Sequence, residues 1–133
     1  MPVKNILIID DDRYFVQSVQ ELLTNEGYNV HSAHNGSDGL DIIRREHPDL
    51  VILDVMMTHD TEGFEVSREM DRDPELRKTK VIMVTGIARE MNLPFTFEPD
   101  SSWLPVDRIL EKPVAPAELL KEIREKIGSS ALL

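Results

Sequence analysis

DLVILDVMM, residues 49–57, is an apolar run that one aspartate, Asp54, interrupts in the middle. Four apolar residues precede Asp54 and three follow it, which indicates a strand buried on both faces, as at the centre of a parallel sheet. An ionised carboxylate inside such a strand would be costly. We therefore expect Asp54 to lie where the strand ends, at the edge of a sheet, with its charge balanced by groups from elsewhere in the chain.

Strand-like and helix-like segments alternate along the chain. Apolar runs predict strands at 3–9, 28–33, 49–53, 80–85 and 108–110. Apolar residues at helical spacing predict helices at 13–26, 36–47, 63–73 and 116–127. Such alternation predicts an α/β fold, a doubly wound five-stranded parallel sheet with helices on both faces. We expect one domain over 1–127 and a short tail over 128–133.

One segment, 86–106, departs from this alternation. Its prolines at 94, 99 and 105 argue against a single continuous helix between the fourth and fifth strands. Three of the chain's aromatic residues, Phe95, Phe97 and Trp103, also lie there. They predict either a surface for a partner or a dimer, or a local apolar cluster that folds back on the domain.

Composition excludes several classes of protein. A chain of 133 residues with a formal charge of −10 is unsuited to direct nucleic-acid binding, because phosphate backbones would repel it. The absence of cysteine excludes disulfides and thiolate metal sites. Its apolar runs are too short to span a membrane, and three aspartates stand where a signal peptide would continue its apolar core. We expect a cytoplasmic protein.

Polar residues with complementary chemistry follow the predicted strands. They are Asp10, Asp11 and Asp12 after the first strand, Asp54 after the third, Thr85 at the end of the fourth and Lys112 after the fifth. Because parallel strands end at the same edge of a sheet, these groups should converge. Clustered carboxylates repel one another unless a cation intervenes, and Mg²⁺ suits an all-oxygen site. Asp54 would be the nucleophile in this set, and Asp12 the cap of the first helix.

Four motifs together resemble the receiver domain of two-component response regulators. They are ILIIDDD (6–12), DLVILDVMM (49–57), VIMVTG (81–86) and LEKPV (110–114), in the order and at the spacing of that family. The resemblance covers nearly all of residues 3–127. It implies a flavodoxin-like sheet with the strand order 2-1-3-4-5.

The resemblance also implies roles for individual residues. Asp54 would accept a phosphoryl group from a phosphohistidine of a sensor histidine kinase or a histidine phosphotransfer protein. Asp10, Asp11 and Asp54 would hold Mg²⁺ together with the backbone carbonyl of Met56, and Thr85 and Lys112 would bind the phosphoryl oxygens. The Lys112–Pro113 peptide bond would be cis. Such a domain is not an enzyme for other substrates, since it catalyses only its own phosphorylation and slow dephosphorylation.

Two departures from the family pattern, and the residues at two further positions, affect signalling. Ile109 occupies the position of the family's usual aromatic switch residue, and the loop after Asp54 has Thr58 in place of the usual proline. The positions that flank the path of an attacking water are the apolar residues Met56 and Ile87, which predicts slow self-dephosphorylation. Since no output domain follows residue 127, we expect output through a partner protein, and a dimer is an alternative.

Two other functions compete with this interpretation. A phosphohydrolase of the haloacid dehalogenase type also uses a strand-end aspartate and Mg²⁺, but its nucleophile follows the first strand. The segment DDDRY (10–14) supplies Asp10 and Asp12 but has Tyr14 at the last motif position, and Asp54 would then have no role. A receiver-like domain that binds partners without phosphate is the other alternative, and the presence of all five pocket groups argues against it.

Overall fold

The computed structural model describes residues 3–54, 62–86 and 105–129, apart from the side chains of Glu62, Phe64 and Thr85. Five strands are present, β1 (Asn5–Ile9), β2 (Asn29–Ala33), β3 (Leu50–Leu53), β4 (Lys80–Thr85) and β5 (Arg108–Glu111). Four helices are described, α1 (Arg13–Asn25), α2 (Gly36–Glu46), α3 (Glu62–Arg72) and α4 (Pro116–Ile127). Most of the predicted segment 86–106 and the end of the tail lie outside the described residues.

All five strands are parallel and form one sheet in the order β2-β1-β3-β4-β5. The first strand is central because it pairs with both β2 and β3, with Ile9 beside Ala33 on one side and Leu53 on the other. The predicted fold class and strand order are therefore confirmed. The strand after β1 is added on one side of it and β3 on the other. The carboxyl ends of β1 and β3 are therefore neighbours at the point where the strand order reverses.

Alternate residues of the strands enter two separate apolar layers. Leu7, Ile9, Val51 and Leu53 pack on the face that α2 and α3 cover, against Ile43, Val66 and Met70. Ile6, Ile8, Leu50 and Ile52 pack on the face that α1 and α4 cover, against Val19, Leu23, Leu119 and Ile123. The central strands are thus buried on both sides, which explains why their sequences are continuously apolar rather than alternating.

Capping residues define the helix ends close to the predicted positions. Asp12 accepts hydrogen bonds from the backbone of Tyr14 and Phe15, both at 3.1 Å, and begins α1. Asn35 accepts one from Asp38 N at 2.8 Å and begins α2. The sequence placed the end of α1 one residue too late, because Glu26 already adopts a non-helical cap conformation before Gly27 at φ 92°.

Helix α2 lies unusually close to the sheet. A Cβ atom at Gly39 would overlap the side chain of Ile9, the last residue of β1. Glycine at position 39 therefore lets the amino-terminal half of α2 pack directly against the end of β1. This contact fixes the position of the backbone that leads directly into Asp10.

The carboxyl end of α4 is tied to the opposite end of the sheet from the aspartates. Tyr28, which is buried just before β2, donates its hydroxyl hydrogen to the carbonyl oxygen of Gly128 at 2.9 Å. Arg124 forms an ion pair of 2.8 Å with Glu26 beside it. Among the residues described, no helix has the length and apolar character needed to cross a bilayer.

Candidate functional site

Three consecutive aspartates after β1 have three different environments. Asp10 is buried, at 1% exposure, and its Oδ1 accepts a hydrogen bond from Asp12 N at 2.9 Å. Asp11 is exposed to solvent. Asp12 is turned to the helix, where it caps α1 as predicted. A short acidic run thus contributes one buried carboxylate, one accessible carboxylate and one helix cap, because the chain changes from strand to helix within these residues.

Asp54 lies beside Asp10 because the register of the central strands places it there. Ile9 is paired with Leu53, so the next residue of each strand is an aspartate. The amide of Asp54 donates to the carbonyl oxygen of Ile9 at 3.0 Å, and Asp54 is 6% exposed. One carboxylate oxygen from each of Asp10, Asp11 and Asp54 lies within 4.8 Å of the other two. The convergence expected from the strand ends is therefore present for these three residues.

Lys112 brings the positive charge to this cluster. Its Nζ donates to Asp10 Oδ2 at 2.8 Å and lies 3.9 Å from Asp54 Oδ2. The side chain is 22% exposed, and the following Lys112–Pro113 bond is cis, as expected. The residue follows β5, which β3 and β4 separate from β1, so the ammonium reaches across the carboxyl ends of the sheet to the carboxylates.

The pKa values of Asp10 and Lys112 are both raised, but for different reasons. Burial raises the pKa of Asp10 above its usual value, and the hydrogen bond and charge of Lys112 only partly offset this effect. Burial by itself would lower the pKa of Lys112, but the hydrogen bond to Asp10 and the charges of Asp10, Asp54 and Asp12 outweigh it, so the pKa is raised. The lysine therefore stays charged, while the cluster retains an excess of negative charge that favours a further cation.

The donor set fits a hard divalent ion. Three carboxylates supply oxygen atoms only, and one of them, Asp11, is open to solvent and leaves an approach to the cluster. In proteins Mg²⁺ is usually bound by a few carboxylates and keeps several of its waters. A cluster that is open to solvent at Asp11 therefore suits it better than a site closed on all sides by protein ligands. Asp10, Asp11 and Asp54 are the residues that would hold it.

Two predicted site residues are incompletely described: Thr85 by its backbone only, and Met56 not at all. Thr85 is the last residue of β4, paired with Glu111, so its backbone lies at the same edge of the sheet as Asp54. Its side chain is outside the description, and so is Met56 with its carbonyl. The roles of all the site residues stay predictions. For the Thr85 side chain and the Met56 carbonyl, the position relative to the cluster also stays a prediction.

Two neighbours of the site were not identified from the sequence. The ring of Phe15 faces Lys112, with its centroid 4.4 Å from Nζ. The Nδ1 atom of the exposed His34 lies 3.4 Å from the carbonyl oxygen of Asp10. Phe15 is three residues after the cap Asp12 and so lies in the first turn of α1, but no signal in the sequence indicates that its ring meets Lys112. His34 was not identified because it is a lone histidine in a loop, without ligand spacing to another histidine. His31, His34 and His47 are all exposed to solvent.

An apolar cavity of about 470 Å³ adjoins the site between α1 and α4. Its wall includes Phe15, Val19 and Leu119, and Lys112 lies at its polar end. The lysine thus has an apolar surface on one side and carboxylates on the other.

Comparisons with known proteins find matches over most of this chain. The family model described as response regulator receiver domain matches residues 6–124. A response regulator receiver domain protein (CheY-like) from Methanospirillum hungatei JF-1 is 33% identical, with a TM-score of 0.75 and coverage of 94% of each chain. The chemotaxis response regulator CheY4 of Vibrio cholerae is 25% identical, with a TM-score of 0.76, and the match covers 92% of this chain and 98% of that one.

A third structure shares the fold at lower identity. It is the receiver domain of a sensor histidine kinase from Pseudomonas aeruginosa PAO1, with a magnesium ion coordinated in its active site cleft. Identity is 23%, the TM-score is 0.80, and the match covers 96% of this chain and 99% of that one. The family model spans most of the chain, and the 33% identical relative matches almost end to end. This chain therefore belongs to the response regulator receiver domain family of two-component systems.

Proposed function

We propose that this domain accepts a phosphoryl group on Asp54 from a phosphohistidine of a sensor histidine kinase or a histidine phosphotransfer protein. The observation that carries the proposal is the position of the Lys112 ammonium, which contacts Asp10 and lies 3.9 Å from Asp54 within a cluster of three carboxylates. A cation beside a strand-end carboxylate is the arrangement that phosphoryl transfer to that carboxylate requires, since negative charge accumulates on the transferred oxygens.

In the proposed reaction a carboxylate oxygen of Asp54 attacks the phosphorus atom. The bond from phosphorus to the imidazole nitrogen breaks, the electron pair stays on that nitrogen, and an acyl phosphate forms on Asp54. Lys112 is placed to contact an oxygen of the incoming group, because its ammonium already lies near Asp54 Oδ2. A magnesium ion bound by Asp10, Asp11 and Asp54 would supply further positive charge to the phosphoryl oxygens.

Asp10 is poorly placed to act as the nucleophile in this geometry. Both oxygens of Asp10 are engaged, Oδ1 by the amide of Asp12 and Oδ2 by Lys112, and its side chain is almost fully buried. An attack by Asp10 would have to break one of these contacts. This arrangement supports the receiver function over the phosphohydrolase alternative, in which the aspartate after the first strand is the nucleophile.

Signal output and the lifetime of the phosphate are further parts of the proposal. Output would pass through a partner protein, and Met56 and Ile87 would keep self-dephosphorylation slow. Ile109, at the usual switch position, is partly buried and packs against the α2–α3 core layer. A dimer is the alternative route for output, and size-exclusion chromatography of the phosphorylated and unphosphorylated domain distinguishes the two.

The test of the phosphoacceptor is incubation with acetyl phosphate and Mg²⁺, followed by intact mass measurement. Wild-type protein should gain the mass of one phosphoryl group, and Asp54→Asn should gain none. Asp12→Asn is the matched control, because asparagine also caps helices and the site keeps its other carboxylates. If the phosphoryl group is found on a peptide that contains Asp10 instead of Asp54, the phosphohydrolase alternative is favoured. No label on folded wild-type protein would favour a phosphate-independent domain.

A further inference from the structure

We propose that Phe15 is a positioning residue for Lys112, whose ammonium it holds by a cation–π contact in the orientation that serves Asp54. This inference rests on the proposed function, since it concerns the same lysine, and it adds a residue that the four sequence motifs do not contain. The ring acts only through Lys112 and contacts neither carboxylate in any interaction described here.

The geometry is that of a cation–π pair. Lys112 Nζ lies 4.4 Å from the ring centroid of Phe15, well inside the limit of about 6 Å for such contacts. The lysine side chain is 22% exposed, so the pair is partly removed from water. Desolvation strengthens the attraction of an ammonium for a ring face relative to the same contact on an open surface.

Contacts of both its backbone and its side chain hold Phe15 in place. The amide of Phe15 donates to Asp12 Oδ1 at 3.1 Å, so the helix cap fixes the residue relative to the aspartate run. Its side chain packs against the apolar layer of α1 and α4 and forms part of the cavity wall next to Val19 and Leu119. The ring is therefore a fixed surface, whereas the lysine that meets it has a flexible four-carbon stem.

The position of the ring explains what it contributes. Lys112 has three N–H donors, and the oxygens near it belong to Asp10 at 2.8 Å and Asp54 at 3.9 Å. A ring face attracts the ammonium without an acceptor atom, so it limits the ammonium's movement and competes for no hydrogen bond that an oxygen could accept. Without the ring, the ammonium would be free to turn towards solvent or to stay on Asp10 alone.

The experiment compares variants that keep or remove the ring. Phe15→Leu and Phe15→Met keep apolar volume and lose the π face, whereas Phe15→Tyr keeps both. The rate of Asp54 phosphorylation by acetyl phosphate with saturating Mg²⁺ should fall on the order of 3- to 10-fold in the first two variants and return close to the wild-type rate in the third. Val19→Ala is the matched control, since it weakens the same helix from the same cavity wall without contacting Lys112.

A spectroscopic measurement separates positioning from packing. In protein with ¹³C-labelled lysine, the ε-methylene protons of Lys112 should show the upfield shift that a ring face causes. The shift should vanish in Phe15→Leu and Phe15→Met and persist in Phe15→Tyr and Val19→Ala. Thermal unfolding of each variant confirms that the compared proteins are folded at the assay temperature.

Each outcome decides the inference. Equal rates in wild type and the two ringless variants, or equal loss in Phe15→Tyr and Phe15→Leu, would overturn it. A fall in rate for Val19→Ala as large as that for Phe15→Leu would assign the effect to packing. If wild-type protein takes no phosphate at all, the proposed function fails, while the contact itself still stands or falls on the Lys112 methylene shift.

Discussion

The ammonium of Lys112 lies 2.8 Å from Asp10 and 3.9 Å from Asp54, although Asp10 is 102 positions away in the sequence. The lysine is therefore hydrogen-bonded to the carboxylate that is not the proposed phosphoacceptor. Asp10 is the more deeply buried of the two, so its charge has the greater need of a counter-ion. Lys112 thus has a structural role in the resting domain as well as the proposed role in phosphoryl transfer.

The Asp10–Lys112 pair should show strong thermodynamic coupling. Lys112→Met keeps much of the apolar stem and removes the charge, which leaves Asp10 buried beside Asp54 without its hydrogen bond. We expect the free energy of unfolding to fall by about 2 kcal/mol, less than for a fully buried pair because Lys112 is partly exposed. In an Asp10→Asn background the same change should cost much less. Urea unfolding of the four proteins measures the coupling, and additive effects would show that the pair contributes no net interaction.

Magnesium should stabilise the folded domain through Asp11. A ligand at about ten times its Kd adds about 1.4 kcal/mol to the free energy of unfolding. For a domain of this size that corresponds to a rise of roughly 3–6 °C in Tm. Asp11→Asn should abolish most of this rise and change metal-free stability little, because Asp11 is exposed.

Asp41→Asn, at an exposed position of α2, is the control for the loss of one negative charge. Differential scanning calorimetry with MgCl₂, and with NaCl at matched ionic strength, gives the comparison. An equal magnesium response in Asp11→Asn and Asp41→Asn would remove Asp11 from the metal site.

The bond from Tyr28 to Gly128 should make stability depend on alkaline pH. Burial raises the pKa of Tyr28, Glu26 adds to the rise, and Arg124 acts against it. Unfolded tyrosine ionises near pH 10. The folded domain therefore keeps a proton that the unfolded chain loses, and the contribution of Tyr28 is complete below about pH 10 and declines as pH rises through the folded pKa.

Tyr28→Phe isolates this contribution. The variant should lose about 1 kcal/mol at pH 7, the usual net value of one hydrogen bond. The difference between the two proteins should shrink above about pH 10, where the tyrosine hydroxyl of the unfolded chain begins to ionise. Chemical unfolding at a series of pH values gives both free energies. A difference that stays constant up to the folded pKa and beyond would refute the linkage.

The lifetime of the acyl phosphate should depend on Met56 and Ile87. Both positions lie outside the described residues, so this prediction rests on the sequence and the family resemblance. Met56→Gln or Ile87→Gln introduces a group that can orient water, and loss of phosphate should accelerate on the order of 10-fold. Phosphate release after removal of the donor measures the rate. An unchanged rate in both variants would show that these side chains do not protect the phosphate.

The sheet and the carboxylate cluster were predictable because both follow from apolar patterning. VILD (51–54) and ILIID (6–10) are apolar segments that each reach an aspartate, so the two residues identify one edge of a parallel sheet without knowledge of packing. Lys112 was assigned to the same edge by the same argument and by the resemblance. The cap at Asp12 was predictable for a local reason, since it precedes a helical apolar pattern.

Contacts that depend on side-chain packing were not predictable. Nothing in the sequence around Phe15 indicates that its ring faces a lysine from another strand, because that distance depends on how α1 and β5 pack. Glu122 of α4 is charged, yet it is buried beside Arg108 of β5 and Lys126 of its own helix. Leu76 was not recognised as a core residue because it lies in a charged turn, although it is almost fully buried.

The five groups of the site belong to strands that the ribosome makes at different times. Asp10 and Asp54 meet once β1 and β3 have paired, whereas Lys112 is synthesised only with the last strand. A nascent chain that stops before β5 holds crowded carboxylates at its sheet edge with no ammonium to balance them. Docking of β5 and α4 therefore completes the apolar layer and offsets part of the cluster's negative charge in one event, which favours cooperative folding of the two halves of the domain.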